Sequence, residues 1–151
     1  MSHRRALVVS SLLALAGCSD PPDTSPLGLE FAALAQKPEQ AASVKVQHVL
    51  VAFVGAKRGS ESKRDYAQAV ALTTDLLAKA RAGEDFAAMV KQHSGDDAST
   101  TGIYEIQASK PDAYVEYFTT VGLRLAVGEV GVAPFHRSKC PYGFHLIKRL
   151  Q

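Results

Sequence analysis

Residues 44–54 read Val-Lys-Val-Gln-His-Val-Leu-Val-Ala-Phe-Val, and this run limits the fold more than any other part of the chain. It is β-branched and mostly apolar, with polar side chains only at Lys45, Gln47 and His48. Such a run predicts a central strand. Its period of two sets Val46, His48 and Leu50 on one face and Val49, Val51 and Phe53 on the other. A histidine is thereby placed among apolar neighbours, where its polar atoms need partners. The chain has 151 residues, 46% of them hydrophobic and 21% charged, which suits one globular domain plus targeting and linker sequence.

Past a polar loop at residues 55–63 the pattern turns helical. Tyr66, Ala69, Val70, Thr73, Leu76, Leu77 and Ala80 recur at steps of three and four, and Gly83 ends the series. Asp85 is placed to cap a second helix with Phe86, Met89, Val90 and His93 on one face, ending at Ser94-Gly95. After a turn-rich loop, residues 103–106 read as a short strand. Pro111 opens a third helical stretch that aligns Tyr114, Phe118, Val121 and Leu125, with Gly122 as an irregular element. Residues 128–134 read as a turn into a strand, and residues 142–150 as a closing strand with His145 and Ile147 facing one way. The expected order is strand, helix, helix, short strand, helix, strand, strand, an α+β sheet packed with helices. No internal repeat is visible.

The amino terminus has its own logic. His3, Arg4 and Arg5 precede an apolar run at residues 6–16, which is too short to span a bilayer and has the layout of a signal peptide. It ends in Leu15-Ala16-Gly17-Cys18, which resembles the lipobox of bacterial lipoproteins, whose cysteine carries the lipid. The expected division is a signal peptide at 1–17, a lipidated Cys18 and proline-containing tether at 18–43, and a domain at 44–151. Residues 19–28 hold three prolines and no hydrophobic period, as an extended tether would; residues 29–42 read as a short helical piece broken at Pro38. Several acyl chains on Cys18 would anchor the protein firmly. Ser19 after the cysteine favours the outer membrane, facing the periplasm. Loss of Arg4 and Arg5 with the leader leaves 15 basic residues against 15 acidic, a balance that argues against a nucleic-acid partner. Only Cys140 then remains besides Cys18, so no disulfide within the domain is expected. A monomer is expected.

Four pieces carry a family resemblance over residues 44–151. Val46-Gln-His-Val-Leu-Val51 is similar to the first strand of the parvulin peptidyl-prolyl isomerases. Ala82-Gly-Glu-Asp-Phe-Ala-Ala-Met-Val-Lys-Gln-His-Ser94 resembles their second helix, Leu125-Ala-Val-Gly-Glu-Val130 the turn before their third strand, and Tyr142-Gly-Phe-His-Leu-Ile-Lys148 their closing strand. The resemblance implies a parvulin-like (FKBP-like) α+β fold, a four-stranded, mainly antiparallel sheet surrounded by helices. It implies isomerisation of X–Pro bonds in unfolded or extended polypeptides, without a cofactor or metal. His48 and His145 match the family's paired histidines, and Asp96 its Asp or Cys beside the substrate amide. Tyr114 and Phe118 match the walls of the proline pocket, Val121 is expected to join them in holding the ring, and Cys140 and Tyr142 fall among its flanking residues. One segment departs. Where the family usually has Gly-Gly-Asp-Leu-Gly, this chain reads Thr101-Gly-Ile-Tyr-Glu-Ile106, so the pocket leucine falls at Tyr104 or Glu105. The departure sustains a rival expectation, a parvulin-fold chaperone that binds unfolded chains with little turnover.

Each of these residues also has a plainer reading. The histidines can serve only to pin the sheet, Tyr114 and Phe118 to fill a core, and Asp96 beside Asp97 to solvate a loop. The spacing of His136, Cys140 and His145 fits no standard zinc pattern. Lys57, Arg58, Lys63 and Arg64 read as a solvated loop, although they resemble the basic loop with which some parvulins favour an acidic or phosphorylated residue before proline.

Overall fold

A computed structural model describes residues 23–57, 59 and 61–151. The signal peptide, Cys18, the first part of the tether and Arg58 lie outside the described residues.

Strand β1 (Ser43–Val51) sits inside a four-stranded sheet with β2 (Ile103–Gln107), β3 (Val130–Ala133) and β4 (Phe144–Arg149), in the order β2-β1-β4-β3. All three pairings are antiparallel. Six consecutive β1 residues, from Val46 to Val51, are buried because helices cover both faces of the sheet. The alternation read from the sequence therefore separates two cores. Val49, Val51 and Phe53 join Phe144, Leu146, Val130 and Val132 beneath α2 (Tyr66–Arg81) and α3 (Phe86–His93). Val44 and Val46 join Ile106 and Ile147 beneath α4 (Glu116–Arg124).

Local chemistry explains where the helices begin. The Asp65 side chain accepts from the Gln68 amide while the Gln68 side chain accepts from the Asp65 amide, a reciprocal cap on α2. Asp85 accepts from the Ala87 and Ala88 amides and starts α3, as expected. Gly83 follows α2 at φ 92°, the left-handed conformation that glycine adopts without a side-chain clash. Gly122, the irregular position in α4, lets the helix lie close on the sheet: a Cβ there would come within 2.3 Å of Ile106 Cδ1.

Two local expectations differ from the structure. The helix expected to run on from Pro111 is instead a single 3-10 turn, Pro111–Ala113, followed by extended Tyr114 and Val115 before α4 starts. Tyr and Val favour extended backbone, and the break turns Tyr114 onto Phe118, with ring centroids 5.5 Å apart. Second, the end of the stretch read as a tether and the short piece after it form one helix, α1 (Pro26–Ala35), capped by Ser25. Leu27 enters the first core and Leu34 the second. Phe31 stacks on Tyr117 at 4.2 Å, and Glu30 holds Arg81 through two hydrogen bonds of 3.1 and 2.8 Å. Helix α1 thus covers the edge strand β3.

Candidate active site

The sheet register brings the two strand histidines together. His48 stands opposite Ile147 and Leu50 opposite His145, so the histidines are diagonal neighbours on the face beneath α4. Both are buried, and their Nδ1 atoms lie 3.2 Å apart with nearly parallel rings. From α4, Phe118 sets its ring edge-on to both, with centroids at 5.1 and 5.5 Å. The loop after α3 carries Asp96 across so that Oδ2 lies 2.9 Å from His48 Nε2. Tyr104 of β2 lies opposite Val46 of β1, which puts it on the same face, and its hydroxyl donates to the same Asp96 oxygen at 2.6 Å.

Above these groups is a hollow of about 440 Å³, within the range of small-ligand sites. His48, His145 and Asp96 line its polar side. Phe118, Tyr114 and Tyr104 wall it, and Tyr142 also lines it. Leu50, which the strand period set on the face of His48, also lines it, together with Ala98, Asp112, Ala113 and Val115, for which no motif or period in the sequence gave a signal.

The electrostatics fix how protons are arranged. The hydrogen bond from His48, helped by those from the Tyr104 hydroxyl and the Ala98 amide, holds the Asp96 carboxyl down at about 2 despite its burial. Burial, then the nearby His48, pushes His145 down to about 3, so it is neutral at physiological pH. Burial, and donation to Asp96, raises the Tyr104 phenol well above its usual range. An ionised Asp96 only accepts, so His48 donates from Nε2. One proton lies between the two Nδ1 atoms, which are 3.2 Å apart. His145 Nε2 is buried and has no hydrogen-bond partner among the described residues.

The model of the PPIC-type PPIase domain family matches residues 29–151. The chain belongs to this family, the parvulins. Two curated relatives are the Chaperone SurA of Chromohalobacter salexigens, 30% identical over 104 residues, and that of Pseudomonas fluorescens, 31% identical over 107. These matches cover 69% and 71% of this chain, which spans only 21% and 22% of the relatives' length. Among solved structures, the peptidyl-prolyl isomerase ESS1 from Candida albicans superposes with a TM-score of 0.61 at 17% identity, over 83% of this chain and 73% of that one. The solution structure of TbPIN1 gives 0.55 at 20% identity, over 74% of this chain and all of the other. The sheet surrounded by helices is thus the parvulin fold, and the chain carries a peptidyl-prolyl isomerase domain.

Within this parvulin, the hollow gathers His48, Asp96, His145, Tyr114, Phe118 and Tyr142. Two expected pocket residues lie elsewhere. Val121 is one turn along α4 from Phe118 and points into the core, fully buried. Cys140 is also fully buried, and its thiol points to the Ala133 and Gly143 carbonyls rather than into the hollow. Burial raises its pKa well above the ordinary thiol value, which keeps it protonated and unreactive. In both cases a helical period or a position in sequence cannot tell a residue at the rim of a hollow from one just beneath it.

Sequence resemblance left the pocket leucine's replacement open between Tyr104 and Glu105, and the β1–β2 register decides for Tyr104. Glu105 is exposed on the opposite face, bonded to Ser43 and Gln107. The residues of the basic loop have separate uses. Arg64 donates to the Ala52 carbonyl at 2.8 Å, and Lys57 Nζ lies 5.5 Å over the Tyr142 ring.

Proposed function

We propose that this parvulin accelerates cis/trans exchange of X–Pro bonds in unfolded or extended chains, with the proline ring in the hollow against Phe118 and Tyr114. The observation that carries this reading is one continuous chain of hydrogen bonds, His145 to His48 to Asp96, ending against an apolar hollow. The barrier to rotation, about 18–20 kcal/mol, reflects partial double-bond character, and uncatalysed X–Pro exchange takes tens of seconds or more. The planar amide separates more charge than the twisted one, so a dry apolar site disfavours the ground state relative to the transition state. The twisted nitrogen regains a lone pair, and the imidazole pair supplies polar atoms that are already oriented. No bond is broken, so a nucleophile has no role. Asp96 acts electrostatically through His48.

The test is NMR exchange spectroscopy on a proline peptide with catalytic amounts of the protein. Catalysed exchange is expected in the wild type, with a drop of roughly a hundredfold in kcat/KM for Asp96→Ala, which leaves the His48 N–H without its acceptor. Binding of the peptide with no faster exchange would instead support the rival reading, a holdase with little turnover. That rival is favoured by Tyr104 in place of the pocket leucine.

The reading extends to location. A lipid on Cys18 would hold the domain in the cell envelope, and Ser19 favours the outer membrane facing the periplasm, where unfolded envelope proteins are the clients. The basic head, the short apolar run and Leu15-Ala16-Gly17-Cys18 support this. Cys18→Ser is expected to abolish incorporation of labelled palmitate and release the protein to the soluble fraction; retention of label would refute the anchor.

A further inference from the structure

The third donor on Asp96 comes from the segment in which this chain departs from the family's usual pattern. Leucine cannot donate a hydrogen bond, whereas Tyr104 brings a hydroxyl to within 2.6 Å of Asp96 Oδ2, the oxygen that also receives His48 Nε2. Its ring stays in the wall of the hollow, 5.2 Å from the His48 ring, 5.6 Å from Tyr114 and 6.0 Å from Phe118. The backbone is arranged to hold it there. Gly102, at φ 63°, accepts from the His48 amide through its carbonyl at 2.9 Å, and a Cβ on it would come within 2.5 Å of the His48 carbonyl oxygen. Only glycine there lets β2 lie so close beside His48.

We propose that Tyr104 is a positioning residue, whose hydroxyl clamps the Asp96 carboxylate against His48 and keeps the His48 Nε2 proton directed at it. This rests on the isomerase reading for its catalytic consequence, but the clamp itself is a property of the free protein. With Oδ2 held by two donors and Oδ1 by the Ala98 amide, the carboxylate cannot swing toward the hollow. It stays ionised and keeps the Nε2 proton on His48. The groups that face Asp96 are His48 from β1, Tyr104 from β2 and, at longer range, His145 from β4. Those that face the Tyr104 hydroxyl are Asp96, Tyr114 and Ser99.

The test is Tyr104→Phe, which keeps the ring and removes the hydroxyl, studied by carboxyl-carbon NMR titration of Asp96 without substrate. In the wild type Asp96 is expected to stay ionised down to about pH 3, and in the variant its midpoint is expected to rise by about one unit. In the exchange assay kcat is expected to fall roughly tenfold with KM little changed, because the wall is intact. Restoring a donor with Tyr104→His is not expected to rescue, since the shorter side chain does not reach Oδ2. An unmoved Asp96 midpoint in a folded Tyr104→Phe protein would overturn the proposal even if the wild type proves an active isomerase. Should the variant not fold, the wild type decides. An exchange-protected, low-field Tyr104 hydroxyl proton with a cross-peak to the His48 ring supports the clamp, and its absence overturns it.

Discussion

Replacing Phe118 with alanine is expected to destabilise the fold by about 3–5 kcal/mol and to abolish useful binding of proline peptides. Two effects coincide at this residue. The ring is almost wholly buried, packs edge-on against His48, His145 and Tyr104 and lies tilted against Tyr114, so truncation removes many contacts and opens a cavity in the second core. The same ring is the main apolar surface on which a pyrrolidine would rest, and loss of it admits water to the histidine pair. A drop of about a hundredfold or more in kcat/KM is expected in exchange spectroscopy, beyond the fraction unfolded. Urea denaturation supplies the stability. Phe118→Leu separates the two effects: it should recover more than half of the stability and less of the binding. Equal recovery of both would mean that Phe118 serves the core alone.

The second large effect is acid destabilisation through His145. In the folded protein its pKa is depressed to about 3, whereas in the unfolded chain a histidine titrates near 6.5. Between these values the unfolded chain binds a proton that the folded chain does not, so stability falls as the pH falls from about 6.5 toward 3. Above that window the contribution is fully present. Asp96 adds a lower step. Its folded pKa of about 2 lies below that of an ordinary carboxyl, so its stabilisation is present above about pH 4 and is lost as the pH drops toward 2. Urea titrations at pH 7 and pH 4 should differ by a few kcal/mol, and His145→Gln, which cannot take up a proton, should lack most of that difference. An equal pH dependence in the variant would show that His145 is not a buried neutral group.

Both predictions concern residues that the sequence singled out, and neither effect was evident from the sequence. His48 and His145 stood out as polar residues in apolar strands, and Phe118 as one member of a helical row. That Phe118 touches both rings, and that the rings lie Nδ1 to Nδ1, depends on an antiparallel pairing between strands that are 97 residues apart at the two histidines. The helical row divides between the hollow and the core. Tyr114 leaves the helix to turn its ring into the hollow, while Val121 keeps the helical period and is lost to the core.

The amino-acid sequence on its own determined what rests on local chemistry. The alternation in β1 set which side chains share a face, Asp85 and Gly83 marked helix ends, and four short pieces in order marked the parvulin sheet and its covering helices. These are legible because strand and helix periods, caps and turns depend on residues only a few positions apart. Only the tertiary structure decided that Tyr104 rather than Glu105 meets Asp96, that Cys140 is sealed away from the hollow, and that α1 packs into both cores. Register, helix placement and burial are set by contacts between distant segments, and a shift of one residue in β2 would exchange its two faces. A sequence pattern can nominate the members of such a site, but their distances exist only once the chain has closed on itself.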